Sequence, residues 1–187
     1  MIAVPHATEA ESVPIHPDPA TRSNCRAPAY AIVLLPVGCG RCGCAAHAAL
    51  FWVPAGHQLR EVARAGARRW VDCHECRLFG EVAWLDAGVR RQVAYLLPTL
   101  RATSATAGRA ASWVNHCEHC GAPVTAPDGD GGVGLAWLLS RDHALDRRVL
   151  PVAERFSAQV VTWLVGSLAA RVLDTSGACR SAVAAPG

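Results

Sequence analysis

Short apolar runs alternate with polar, glycine-rich turns through the first two thirds of the chain, and longer mixed segments follow. "YAIVLLPV" (30–37) is rich in branched apolar residues and predicts a strand, and "AAHAALFWVP" (45–54) predicts its return. Between them stands "GCGRCGC", so the stretch reads strand, cysteine turn, strand. "HQLREVARAGARRW" (57–70) carries Leu59, Val62, Ala63 and Trp70 roughly on one side at helical spacing, with Arg60, Arg64 and Arg68 opposite, and predicts a helix. "VDCHECRLFGEVAWL" (71–85) repeats the order of apolar run, C-x-x-C and apolar run, a weak internal echo of 36–52. "AGVRRQVAYLLPTL" (87–100) predicts a helix that Pro98 interrupts. After a Ser/Thr/Gly-rich linker (102–112), "SWVNHCEHCGAPV" is again a short strand entering a cysteine turn. "LAWLLSRDHALDRRVL" (135–150) and "PVAERFSAQVVTWLVGSLAARVLD" (151–174) predict two helices, with Pro151 suited to a first helical turn and Gly177 just past the end. The second has only a thin polar face, which calls for burial against the body or a partner.

Composition narrows the class. The chain has 187 residues, of which 51% are hydrophobic and 18% charged, enough for one packed domain or a small module with an accessory piece. The net charge of +3 is small, and all 18 basic residues are arginine, so no strong nucleic-acid footprint is present. Residues 1–27 are rich in Pro, Ser, Thr, Glu and Asp without an apolar period and predict a disordered arm. No basic stretch leading into an apolar core opens the chain, and "VVTWLVGSLAA" is too short to span a bilayer, so a cytoplasmic protein without a membrane segment is expected.

The nine cysteines carry the chemistry. Six of them form three C-x-x-C pairs: Cys39/Cys42, Cys73/Cys76 and Cys117/Cys120. In a reducing compartment this usage favours metal or redox chemistry over structural disulfides. Two cysteines three apart in a tight turn aim both sulfurs at one point, and two such turns make a tetrahedral four-sulfur cage, the usual closed zinc site. Three pairings of the turns are open. Gly43 follows Cys42 and Gly121 follows Cys120, where glycine lets the backbone swing an amide towards sulfur, whereas Arg77 follows Cys76. That local chemistry pairs Cys39/Cys42 with Cys117/Cys120. Chain separation argues the other way, because this pairing needs the longest insertion, although loop closure grows only slowly with length.

"VLLPVGCGRCG", "VPAGH", "YLLP" and "SATAGRAASWVNHCEHCGA" together resemble a group of uncharacterised bacterial zinc-ribbon-like proteins with a C-x-x-C-G … N-H-C-E-H-C-G-A pair of knuckles. The resemblance covers roughly residues 30–123 and is most specific at the second knuckle. It implies that Cys39, Cys42, Cys117 and Cys120 are shared metal ligands, and it brings no activity with it. Gly40 stands where the family's first knuckle has an aromatic residue, and "PVTAPDGDGG" replaces the acidic and aromatic stretch after the second.

The expectation is therefore an α+β chain: a zinc-ribbon-like β module (28–126) with inserted helices, a helical C-terminal segment (127–177) and a flexible tail (178–187). Cys73 and Cys76 are candidates for a second site or an alternative partner, with Cys44 and His47 the nearest additional ligands, and Cys25 and Cys179 are expected as unpaired thiols in flexible ends. His116 and His119 are expected beside the cage rather than in it, Asn115 on backbone near the turn, and Trp52, Trp84 and Trp113 in the core around it. The favoured function is a Zn2+-binding protein with a closed, structural four-cysteine site that acts as a binding or scaffold module, without catalysis. The alternatives are a zinc-ribbon nucleic-acid-binding protein, on the strength of Arg60, Arg64, Arg68 and Arg69, and a thiol redox protein using Cys73/Cys76. A protein partner is expected through the C-terminal helix. "GDGGVG" (129–134) fits a dinucleotide-binding pattern but lacks the βαβ context.

Overall fold

The computed structural model of the protein describes residues 22–62, 67–104, 111–124 and 147–165. Ten strands stand among the described residues: β1 (Cys25–Ala27), β2 (Tyr30–Gly38), β3 (Ala45–Val53), β4 (Gln58–Val62), β5 (Arg68–Asp72), β6 (Arg77–Leu85), β7 (Leu100–Ala102), β8 (Trp113–Asn115), β9 (Arg148–Val152) and β10 (Phe156–Val165). The one helix among the described residues is α1 (Ala87–Leu96). The strands join in one sheet in the order β5-β4-β1-β10-β6-β3-β2-β9, with β8 laid against β6 and β7 against β8. Each pairing is antiparallel. Among the described residues no helix is long and apolar enough to cross a membrane.

The expected α+β architecture gives way to a mostly antiparallel sheet. In place of the helix expected at 57–70, β4 and β5 pair antiparallel from Gln58↔Asp72 to Val62↔Arg68, and residues 63–66 lie outside the described residues. The helical reading of the C-terminal segment also fails where it can be seen. Residues 148–152 are β9 and 156–165 are β10, and β10 lies in the middle of the sheet between β1 and β6. The docking helix expected there is thus, over 156–165, a strand already held on both sides. Residues 135–146 and 166–174 of those two predicted helices lie outside the described residues, as do the dinucleotide-like motif at 129–134, Cys179 and residues 1–21. The sheet takes in segments on both sides of the expected boundary at 126/127, and β1 puts residues 25–27 of the expected arm into it as well.

The strands that were anticipated stand close to their expected limits. β2 and β3 are paired along almost their whole length, from Ala31↔Trp52 to Gly38↔Ala45, with the first cysteine turn at the tip. Pro36 falls past the end of the β9 ladder, which stops at Leu34↔Arg148, so its missing N–H interrupts nothing on that side. Pro151 sits on β9, the last strand in the order, where an imino nitrogen is tolerated. α1 starts at Asp86, whose carboxylate accepts the Val89 amide at 2.8 Å, and ends just before Pro98.

Alternation along β2 and β3 feeds two apolar clusters. Tyr30, Ile32, Ala49, Phe51 and Val53 point into the main core, where Phe79, Leu85, Phe156 and the α1 residues Val89 and Val93 also pack. Ala31, Val33, Leu35, Val37, Ala46, Ala48, Leu50 and Trp52 point the other way, into a second cluster shared with Cys39, Cys117 and Val124. Both faces along the body of the hairpin are therefore buried, which fixes its register.

Candidate metal centre

The first cysteine turn closes the β2–β3 hairpin, and the second follows β8. They are built alike. The Cys39 amide donates to the Cys44 carbonyl at 2.9 Å, and the Gly43 amide donates to the Cys39 carbonyl at 2.9 Å. In the second turn the Cys117 amide donates to the Ala122 carbonyl at 2.8 Å, and the Gly121 amide to the Cys117 carbonyl at 3.0 Å. Gly43 and Gly121 occupy the same left-handed conformation, φ 72° and 66°. That conformation is what permits the matching hydrogen bond in each turn, and glycine adopts it without a side-chain clash. The middle pair differs: Arg77, not glycine, follows Cys76 and already belongs to β6.

The two matched turns face each other. Cys39 Sγ lies 3.6 Å from Cys120 Sγ, and Cys42 Sγ lies 3.7 Å from Cys117 Sγ. All four ligand atoms lie within 4.8 Å of one another, so Cys39, Cys42, Cys117 and Cys120 form a group that could hold a metal ion. The contacts are too long for a disulfide, which closes at ~2.05 Å. Cys39 and Cys117 are buried in the second apolar cluster, Cys120 packs against it half-buried, and Cys42 is exposed.

The turn amides act differently on the two cysteines of the first turn. The backbone amides of Cys42 and Arg41 donate to the Cys39 sulfur and, with help from the Cys120 and Cys42 thiols, hold its pKa at about 6. The Cys44 amide favours a Cys42 thiolate in the same way, but desolvation and the hydrogen-bonded sulfurs of Cys120, Cys39 and Cys44 outweigh it and push that thiol well above its ordinary range. One thiolate is accommodated by the turn amides. Four converging thiolates would repel one another unless a cation sat between them.

Asn115 fixes the second turn to the first hairpin. Its Oδ1 accepts the Ala49 amide at 2.9 Å and its Nδ2 donates to the Ala49 carbonyl at 3.3 Å, while its own carbonyl accepts the Val124 amide at 2.8 Å. The side chain does bond to backbone, as expected, but to a strand 66 residues away rather than to its own turn. That partner carried no sequence signal beyond the residue's place just ahead of the knuckle. Glu118 reaches from the second turn to His47 on β3, with Oε1 3.5 Å from Nδ1, a second and more exposed link.

The remaining candidates fall elsewhere. His116 is half-buried with Nδ1 2.9 Å from the Val114 carbonyl, His119 is exposed, and neither belongs to the four-residue group. Among the described residues no second group of three or more ligating side chains comes together, and Cys73, Cys76, Cys44 and His47 do not join the first. Cys73 packs against the main core and Cys76 against the second cluster. Cys25, expected in a flexible end, is instead fully buried in β1, where desolvation pushes its thiol far up. Trp52 is buried in the cluster that holds Cys39 and Cys117, whereas Trp113 packs against the main core. Trp84 is half-buried on β6.

Comparison of the chain with protein-family models, with curated proteins and with solved structures gives no match.

Proposed function

We propose that Cys39, Cys42, Cys117 and Cys120 bind one Zn2+ in a closed site whose role is structural, and that the protein works as a metal-stabilised binding or scaffold module. The single observation that carries this reading is the geometry of the four sulfurs. A tetrahedral four-sulfur site with Zn–S near ~2.3 Å has S···S edges of ~3.8 Å; two of the four cross-turn edges here are 3.6 and 3.7 Å, and all four sulfurs lie within 4.8 Å of one another. Zinc suits the donor set because four soft thiolates in a tetrahedron select zinc or iron, and zinc needs no redox partner. Four protein ligands fill its coordination sphere, which leaves no position for substrate or activated water and argues against metal catalysis. The location fits the role: the ion would clamp the tip of a hairpin to a turn that arrives from 75 residues away in sequence. The resemblance of the two knuckle sequences to the bacterial zinc-ribbon-like proteins supports the same four ligands.

X-ray absorption at the zinc edge tests the identity and the donor set together. The expected spectrum has four sulfur scatterers at ~2.3 Å and no nitrogen shell. A fit requiring one or two imidazoles would replace this ligand set with one that includes a histidine, and an iron edge instead of a zinc edge would replace the metal.

A further inference from the structure

Of the arginines expected as one helical stripe, Arg60 and Arg68 lie on one face of a sheet, and Arg64 lies outside the described residues. The pairs Arg26↔Ser157, Arg26↔Gln58, Gln58↔Asp72 and Arg60↔Trp70 place Arg26, Arg60, Trp70 and, two residues along β5, Arg68 on one side of β1, β4 and β5. The alternate side carries Cys25, Leu59 and Ala158, all buried in the main core. The outward side carries these guanidinium groups and the indole. Arg26 and Arg68 are exposed, and Arg60 and Trp70 half-buried.

These groups are stacked. The Arg26 guanidinium lies 4.3 Å from the Trp70 ring centroid and that of Arg60 lies 5.9 Å from it. Arg26 Nε donates to Gln58, whose amide donates in turn to Asp72 at 2.6 Å, so the layer is braced across three strands. Beside it lies an open groove of about 410 Å3, which shares Arg26 and Gln58 with the layer and is walled by Arg155, Asp86 and Ser157. Four acids stand near this face, each with a partner: Asp72 accepts from Gln58, Asp86 caps α1, Glu61 faces Arg69 at 3.9 Å, and Glu154 accepts from Gln92. What remains is a flat π-cation layer continuous with a groove that carries a second exposed arginine.

We propose that this face binds single-stranded nucleic acid, with bases stacking on the Arg26–Trp70 layer and the phosphate backbone running past Arg155, Arg60 and Arg68. Every base has a π face, so an indole and a guanidinium plane accept a strand with little sequence preference, and arginine provides both stacking and phosphate contacts. A duplex keeps its bases inside the stack and would use only the arginines. An acidic peptide would likewise engage the arginines without needing the indole. The face stands apart from the cysteine site, which belongs to the other apolar cluster, so the proposal holds whichever metal the cysteines take.

The test uses the full-length, metal-loaded protein and fluorescein-labelled oligo-dT and oligo-U of about 20 nucleotides, read by fluorescence anisotropy. Saturable micromolar binding is expected, weakening about tenfold between about 50 and 200 mM salt. Unlabelled single strand should compete, and duplex of the same length or polyglutamate should compete poorly. Trp70→Leu should weaken binding at least about fivefold by loss of one stacking surface. Arg155→Glu, at an exposed position where folding is not at issue, should weaken it about tenfold through charge reversal at the groove. Arg148→Glu, on β9 at the far end of the sheet, should change nothing. Circular dichroism and metal content confirm that each variant is folded. The proposal is overturned by no saturable binding at low salt, by equal competition from duplex or polyglutamate, or by a folded Trp70→Leu and Arg155→Glu that both bind like wild type.

Discussion

At the scale of single residues, Gly121 and His57 show how local chemistry sets the properties of the molecule. A Cβ built on Gly121 meets nothing within 4 Å, so space does not require glycine there; the φ of 66° does. Gly121→Ala should therefore cost about 1–2 kcal/mol, the usual penalty for an L-residue in that conformation, and leave metal content intact. Thermal unfolding with parallel metal analysis checks both halves, and loss of the metal would mean that the turn tolerates less than its hydrogen bonds indicate. His57 is fully buried, with Nδ1 2.7 Å from the Pro54 carbonyl, which only a ring N–H can satisfy. Its Nε2 is buried without a partner. Burial lowers the pKa below 6.5, although the Pro54 bond works against it, and the charge of Arg77 adds to the lowering. The folded state thus binds fewer protons than the unfolded chain. The contribution of His57 to stability is present above pH ~6.5 and is lost as pH falls through that value towards the lower folded pKa. His57→Asn, which can still donate to Pro54, should flatten the dependence of stability on pH below about 6.5. An unchanged slope would place the acid sensitivity elsewhere.

At the scale of elements, the cysteine hairpin and the second turn are held by a backbone-mimicking amide as well as by their sulfurs. Asn115→Ala removes both bonds to Ala49 and leaves the buried amide and carbonyl of that residue without those partners. It should destabilise the protein by about 2–4 kcal/mol and speed metal loss to a chelator. Denaturant titration and the rate of zinc transfer to a colorimetric chelator read the two effects, and an unchanged transfer rate would show that the sulfurs alone hold the turns together.

The same scale shows what could be read along the chain. The β2–β3 hairpin and the limits of α1 were legible because each signal is local: branched apolar runs around a glycine turn, and a proline after a helical stretch. The β4–β5 pair was not, since on the core side of β4 the buried Leu59 alternates with the polar, exposed Glu61, and the partner strand β1 lies more than thirty positions back. Pairing with β1 overrode a local pattern that fits a helix equally well. β10 carried a period-two signal in Phe156, Ala158 and Val160, each buried, with half-buried Ser157 and Gln159 between them. Its apolar continuation hid that alternation, since a buried strand and a buried helix look alike in hydropathy.

At the scale of the whole molecule, the cysteine site is one end of a sheet that already has a large core of its own. The main apolar cluster contains none of the four converging cysteines. Their burial is confined to the second cluster, on the opposite face of β2 and β3. That the two glycine-bearing turns would pair was visible in the residue following each second cysteine. That their sulfurs meet within bonding range of one ion depends on the docking of β8 through β6 and Asn115, which no local pattern encodes. Metal stoichiometry of the purified protein and its paired-cysteine variants tests the central claim most directly. About one equivalent of zinc is expected in the wild type and in the Cys73→Ser/Cys76→Ser variant, and none in Cys39→Ser/Cys42→Ser or Cys117→Ser/Cys120→Ser. A folded wild type without metal, or a Cys73→Ser/Cys76→Ser variant that loses its metal as completely as the other two, would contradict it.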